Sequence, residues 1–217
     1  MSVHETLIDP RLAQLPDLLR QGNEKSALSV FRDASRRLHA PVRWASYFHT
    51  ALKVTPVTLP LHAGLTAKML FNAQGCVQQP AQRERLHQVA LQSGIQAAPY
   101  DGQAALSIFA LAATTAQTPS QRDAVVLSMF TAAQTALKAD NPSAAFVIAR
   151  QATQSALRAG GKPAAFRAAC NLAESVSTPD GEWYRKRLQG LSLRLAPDKA
   201  EKRKLEAHYS RHTTAPV

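Results

Sequence analysis

Carboxylates are scarce in the first half of this chain: between residues 34 and 100 the only acidic side chain is Glu84. Carboxylate-pair catalysis and hard-cation binding both need at least two convergent acids, so neither is expected there. Cysteine is almost as rare. Cys76 and Cys170 are the only two, far apart and outside any CxxC pair, which argues against a disulfide framework or a thiolate cluster; they read as small buried thiols. The longest apolar run, AALSIFALAA at 104–113, is about half of the ~20 residues a membrane-crossing helix needs, so no membrane insertion is expected. The opening MSVHETLIDPRL has no cationic segment leading into an apolar one. No secretory signal is read from it, and a cytoplasmic protein is the expectation. Nothing alternates at period two for long enough to suggest a sheet.

What is present is helix punctuation. Asn141 can cap a helix with its side-chain oxygen while Pro142 takes the first helical position, where a missing N–H costs nothing. Thr118-Pro119 and Thr178-Pro179 repeat the signal, and Gly160-Gly161 supplies a stop before Lys162-Pro163 starts again. Helices are predicted at 9–21, 24–38, 42–53, 61–73, 80–93, 101–117, 119–138, 142–159, 163–176 and 179–190, with Gly94 ending the fifth and VTPVTLPLHAG at 54–64 read as a long connection. Ala145, Ile148, Ala149, Ala152 and Ala156 form one small-residue stripe. Residues 119–138 carry two adjacent stripes, which requires cover on more than one side. The run at 104–113 belongs at the centre. The class is all-α, stacked antiparallel helical hairpins, with a body over 1–196 and a basic C-terminal helix and tail over 197–217. At 217 residues, 45% apolar and 19% charged, the chain has the composition of a globular protein.

Residues 22–41, GNEKSALSVFRDASRRLHAP, resemble the second helix of a tetratricopeptide repeat with its preceding turn. Gly22-Asn23, Ala27, Phe31 and Ala34 fit that pattern, Pro41 comes two residues late, and Leu12, Leu15 and Leu18 would line the partner helix. Asp140-Asn141, Ala145, Ala149 and Ala152 echo it with an alanine in place of the aromatic. The proline spacing in the second half implies two-helix units of about 44 residues, as long as HEAT-type units and longer than the ~34 of the tetratricopeptide family. The resemblance implies a grooved stack that binds peptides or partner helices.

Chemistry is harder to find. Glu84, between Arg83 and Arg85, reads as a solvated helix charge with local ion pairs. LRAGGKPAAF fails as a phosphate loop, with Ala156 and Pro163 where glycine and Ser/Thr would stand. His208 and His212 have a one-turn spacing that zinc can use, but no third ligand is near in sequence, and they read as a frayed tail. His39, His49, His62 and His87 are dispersed. No catalytic residue, metal site or cofactor is proposed.

The net charge is +11, and residues 182–217 hold 9 basic and 4 acidic side chains, nearly half of the excess in the last sixth of the chain. Trp183 and Tyr184 lead into Arg185, Lys186 and Arg187; Arg194 follows, and Lys199, Lys202, Arg203 and Lys204 form a second cluster. Cations beside aromatics suit an acidic protein or peptide, and equally phosphates with stacked bases. A polar helix capping the stack is the third reading, with Leu188, Leu191 and Leu195 docking it. The function expected is a non-catalytic adaptor or scaffold that uses this basic segment, the alternative being a nucleic-acid-binding protein that also uses Arg36, Arg37 and Arg43.

Overall fold

Among the described residues four helices open on a proline, as the punctuation requires. The computed structural model describes residues 8–159, 163–176 and 181–213. Among them lie eleven α-helices and no strand: α1 Leu15–Arg20, α2 Glu24–Arg36, α3 Trp44–Thr58, α4 Ala63–Gly75, α5 Pro80–Ala97, α6 Gly102–Thr115, α7 Pro119–Lys138, α8 Pro142–Arg158, α9 Pro163–Glu174, α10 Glu182–Leu195 and α11 Lys199–Thr213. Short 3-10 turns precede α1 and α3. The starts expected at Thr118-Pro119 and Asn141-Pro142 are in place. The stop at Gly160-Gly161, with Lys162, and the start at Thr178-Pro179 lie outside the described residues.

Two kinds of joint recur. Before α2 and before α8 the chain turns through a left-handed residue, Gly22 (φ 70°) and Asp140 (φ 56°). In each the next residue reaches back, Asn23 N to Leu18 O at 2.9 Å and Asn141 N to Ala136 O at 2.9 Å. Each asparagine then caps its helix, accepting from Ser26 N at 3.2 Å and Ala144 N at 3.1 Å. The reach-back closes the last turn of one helix and the cap opens the next, which folds the pair into a hairpin.

The second joint opens α5 and α7, where QQPAQRE at 78–84 and QTPSQRD at 117–123 correspond. In both, the glutamine at the third helical position turns its side-chain oxygen back onto the chain. Gln82 Oε1 accepts from Gln78 N (2.8 Å) and Gln79 N (3.2 Å). Gln121 Oε1 accepts from Gln117 N (2.6 Å) and Thr118 N (3.0 Å). These are capping boxes built with an amide. The sequence reading did not single out this match.

Alternate helices form two layers. α1, α3, α5, α7 and α9 pack side by side, each on the next; so do α2, α4, α6, α8 and α10; and each odd helix packs against the even helix that follows it. This is a stack of helical hairpins with a core running between the layers. The units are unequal. Their first helices start at Leu15, Trp44, Pro80, Pro119 and Pro163, so the 44-residue unit holds only for the last interval and the earlier ones are shorter, because the odd helices lengthen from α1 to α7.

The expected core is the observed one in the second half. Ala145, Ile148, Ala149, Ala152 and Ala156 are all buried, as are Val125, Val126, Met129 and Phe130 of α7 and Ile108, Phe109 and Leu111 of α6. Ala27, Phe31 and Ala34 are buried with Leu12 and Leu15.

Two boundaries differ from expectation. The helix expected to end at residue 53 runs through Pro56 to Thr58. Pro56 is exposed and only two residues from the end, so little of the hydrogen-bond ladder is lost. Thr55 and Thr58 bond back to Ala51 O (2.8 Å) and Val54 O (3.1 Å), which lets β-branched residues sit in a helix. Gly94 does not stop α5, which continues to Ala97. Its missing side chain serves packing, because an added Cβ would stand 2.8 Å from the Phe109 ring.

Candidate partner-binding surface

The basic C-terminal residues divide into three settings. α10 docks through buried Leu188, Leu191, Ser192 and Leu195, which turns the stripe of Trp183, Arg187, Gly190 and Arg194 to solvent. Trp183 is 53% exposed. Arg187 places its guanidinium carbon 4.8 Å from the centre of the Trp183 ring, within cation–π range. Tyr184 meets the same indole edge-on at 4.8 Å, and Phe146 of α8 does so at 5.9 Å. Sequence reasoning missed Phe146, which lies 37 positions upstream of Trp183 and is brought to it only by the packing of α8 on α10. Lys186 beside it is paired with Glu182 at 2.8 Å. That hydrogen bond and charge hold the Glu182 carboxyl below the usual carboxylate range.

The other tryptophan makes a useful contrast. Trp44 is half-buried and donates Nε1–H to Leu38 O at 2.7 Å, fixing the turn between α2 and α3. Trp183 has a cation and two rings around it and solvent on its open side.

Arg185 points elsewhere, into a cleft of about 400 Å³ shared with Glu174, Gln189, His208 and Tyr209. This cleft is where α11 meets the body. The Tyr209 hydroxyl lies 2.8 Å from Ser192 Oγ, and His208 Nε2 is 3.5 Å from Glu174 Oε1. Burial pushes the Tyr209 phenol up to about 12 and also raises the neighbouring Cys170 thiol. A thiol raised in this way is a poor nucleophile at neutral pH. Cys170 is half-buried and not fully buried as expected; Cys76 is 1% exposed.

Lys199, Lys202, Arg203 and Lys204 are exposed on α11. Two of them are held by acids of the same helix, Lys204 with Glu201 at 2.9 Å and Lys202 with Glu206 at 4.0 Å. Exposed helix pairs of this kind contribute little to stability and offset part of the positive charge, with Lys199 and Arg203 adding to it. Arg36 and Arg43 are exposed at the opposite end of the stack, and Arg37 is half-buried.

His87 and His62 have structural partners. His87 is fully buried and its Nδ1–H donates to Ala112 O at 2.9 Å. His62 Nδ1 accepts from Leu65 N at 3.2 Å, capping α4, and its Nε2–H reaches Glu24 at 3.1 Å. Glu84 is not a free surface charge: it accepts from Gln88 on its own helix and from Gln121 of α7. Among the described residues no group of three His, Cys, Asp or Glu side chains could hold a metal, and no helix is long and apolar enough to cross a membrane.

Compared with protein-family models, with curated proteins and with solved structures, the chain matches none. The geometry therefore carries the functional reading. It brings together Trp183, Tyr184, Arg187 and Phe146, and it separates them from Arg185 and from the α11 cations.

Proposed function

We propose that this chain is a non-catalytic adaptor or scaffold, a helical-hairpin stack of tetratricopeptide or HEAT type that binds an acidic protein segment. The observation that carries the reading is the exposed Trp183 under Arg187. Tryptophan and arginine are the residues most enriched at energetic centres of interfaces, and an indole left half in water has no core role to account for it. The turn chemistry at Gly22-Asn23 and Asp140-Asn141, with Ala27, Phe31 and Ala34 facing inward, supports the family likeness.

A second reading draws on the same ring, since an exposed indole beside a guanidinium also stacks nucleic-acid bases. Co-purification of the tagged full-length protein from its own cells, with half of each sample treated with nuclease, separates the two. Partners that survive nuclease and are lost from the Trp183→Ala/Arg187→Ala variant support the adaptor. Material that vanishes with nuclease replaces it with the nucleic-acid reading. Partners retained by the variant remove α10 from the account.

A further inference from the structure

Charge is sorted between the two layers in a way that chain order conceals. Four of the five odd helices carry a carboxylate: Asp17 in α1, Glu84 in α5, Asp123 in α7 and Glu174 in α9. In the even layer the three central helices, α4, α6 and α8, carry none. The acids at its two ends have partners: Asp33 takes Arg11 at 3.0 Å, Glu24 takes His62 at 3.1 Å, and Glu182 takes Lys186 at 2.8 Å.

Each even helix also presents one exposed stripe at helical spacing. On α2 it includes Arg32 and Arg36, on α4 Lys68 and Phe71, on α8 Arg150, and on α10 Trp183, Arg187 and Arg194. α6, in the middle, exposes Gln103, Ala110 and Ala113, and the one charge belonging to it is its capping Asp101, which is engaged by Gln103 N and Ala104 N at 2.9 Å each. Beside it opens a groove of about 350 Å³ reaching α8, lined by Leu106, Ala110, Ala113, Gln151 and Ser155. Across the face the order is cationic, cationic, neutral with a groove, cationic, cationic.

From this order we infer that the even face docks one extended polypeptide segment, acidic at both ends, with an uncharged centre whose apolar side chains enter the α6–α8 groove. The inference rests on the adaptor reading and extends its site from α10 to the whole layer. Helices pack at about 8–10 Å, so five of them span roughly 36 Å, and an extended chain at about 3.3 Å per residue crosses that in about 11 residues. Complementary charge fixes the register of such a segment. A nucleic-acid strand fits less well, because it carries a phosphate at every step and would lay several over the uncharged α6.

The test is fluorescence anisotropy with the full-length chain and three labelled probes: a peptide of about 15 residues with glutamates at both ends and a Leu-, Ala- and Ser-containing centre; a polyglutamate of the same length; and an oligothymidylate of equal charge. The mixed peptide is expected to bind at least about tenfold tighter than polyglutamate. Lys68→Glu and Arg150→Glu, both at exposed positions, should each weaken it about fivefold or more, while Arg85→Glu, exposed on the odd helix α5, should leave it unchanged. Ala110→Arg should weaken the mixed peptide and tighten polyglutamate, with circular dichroism and melting confirming that each variant is folded. Loss of peptide binding in Trp183→Ala with no effect of Lys68→Glu or Arg150→Glu overturns the inference and leaves the adaptor reading standing on α10. Equal losses in Arg85→Glu and Arg150→Glu overturn it by showing that only total charge counts. Binding of the oligonucleotide alone removes both readings.

Discussion

The Phe109 ring on α6 occupies the space that a side chain at Gly94 on α5 would need, with Cε1 and Cζ each 2.8 Å from where a Cβ would stand. Phe109 is 1% exposed and packed in the core. In an open helix, Gly→Ala is worth about 0.5–1 kcal/mol of stability. Here the sign should reverse: Gly94→Ala is expected to destabilise by about 1–3 kcal/mol through overpacking. Urea unfolding measures it, and adding Phe109→Leu should return part of the loss. A stabilised Gly94→Ala would disprove the close contact.

Asp140 holds a left-handed backbone (φ 56°) at the turn where Gly22 is its counterpart (φ 70°). For a residue with a Cβ that conformation costs about 1–2 kcal/mol, partly offset for aspartate by local hydrogen bonding. Asp140→Gly should therefore raise the melting temperature, by about 0.5–1 kcal/mol of stability, and Gly22→Ala should lower it by a similar amount. Both shifts are readable by differential scanning calorimetry.

Gln121 joins a capping box to a cross-helix bond, its oxygen on Gln117 N and Thr118 N and its amide on Glu84 of α5. Gln121→Ala is expected to cost about 1–2 kcal/mol, in the range of lost caps and side-chain hydrogen bonds. Gln82→Ala, which removes a box without that link, should cost about half as much. Equal losses in the two variants would mean that the bond to Glu84 contributes nothing.

Alkaline pH should unfold the chain through groups buried in neutral form. Cys76 has its thiol raised to about 11 by burial, and Tyr209 its phenol to about 12. While both states are protonated, pH has no effect. Above about 8.5 the unfolded thiol ionises first, and above about 10 the unfolded phenol does. The unfolded chain then binds fewer protons, so stability falls as pH rises, until the folded groups ionise near 11 and 12. Urea midpoints measured from pH 8 to 12 should drop across that window, and Cys76→Ala should delay the onset. A flat profile to pH 11 would refute it.

The fold was legible because its signals are local. Pro119, Pro142 and Pro163 stand at the first positions of their helices, and the stripes of α7 and α8 bury as their periods require. Gly94 and Pro56 misled because their meaning is set by what surrounds them, an aromatic ring from α6 in one case and the nearby end of α3 in the other. The site was half legible. Trp183 and Arg187 are one helical turn apart and announce themselves, but Phe146 reaches them only through packing. The absence of acids from α4, α6 and α8 is invisible in chain order, because these helices are interleaved with odd helices that carry acids.

The two glutamine boxes have one more consequence. A capping box usually employs glutamate, which loses its grip when it takes up a proton. Gln82 and Gln121 carry no charge to lose, so the boxes themselves do not respond to acid, and only the bond from the Gln121 amide to Glu84 has a partner that titrates. The cationic face, by contrast, is governed by its ionic surroundings. On the proposed reading, a rise in salt is therefore expected to loosen an acidic partner while the boxes beneath stay whole, which separates letting go from falling apart.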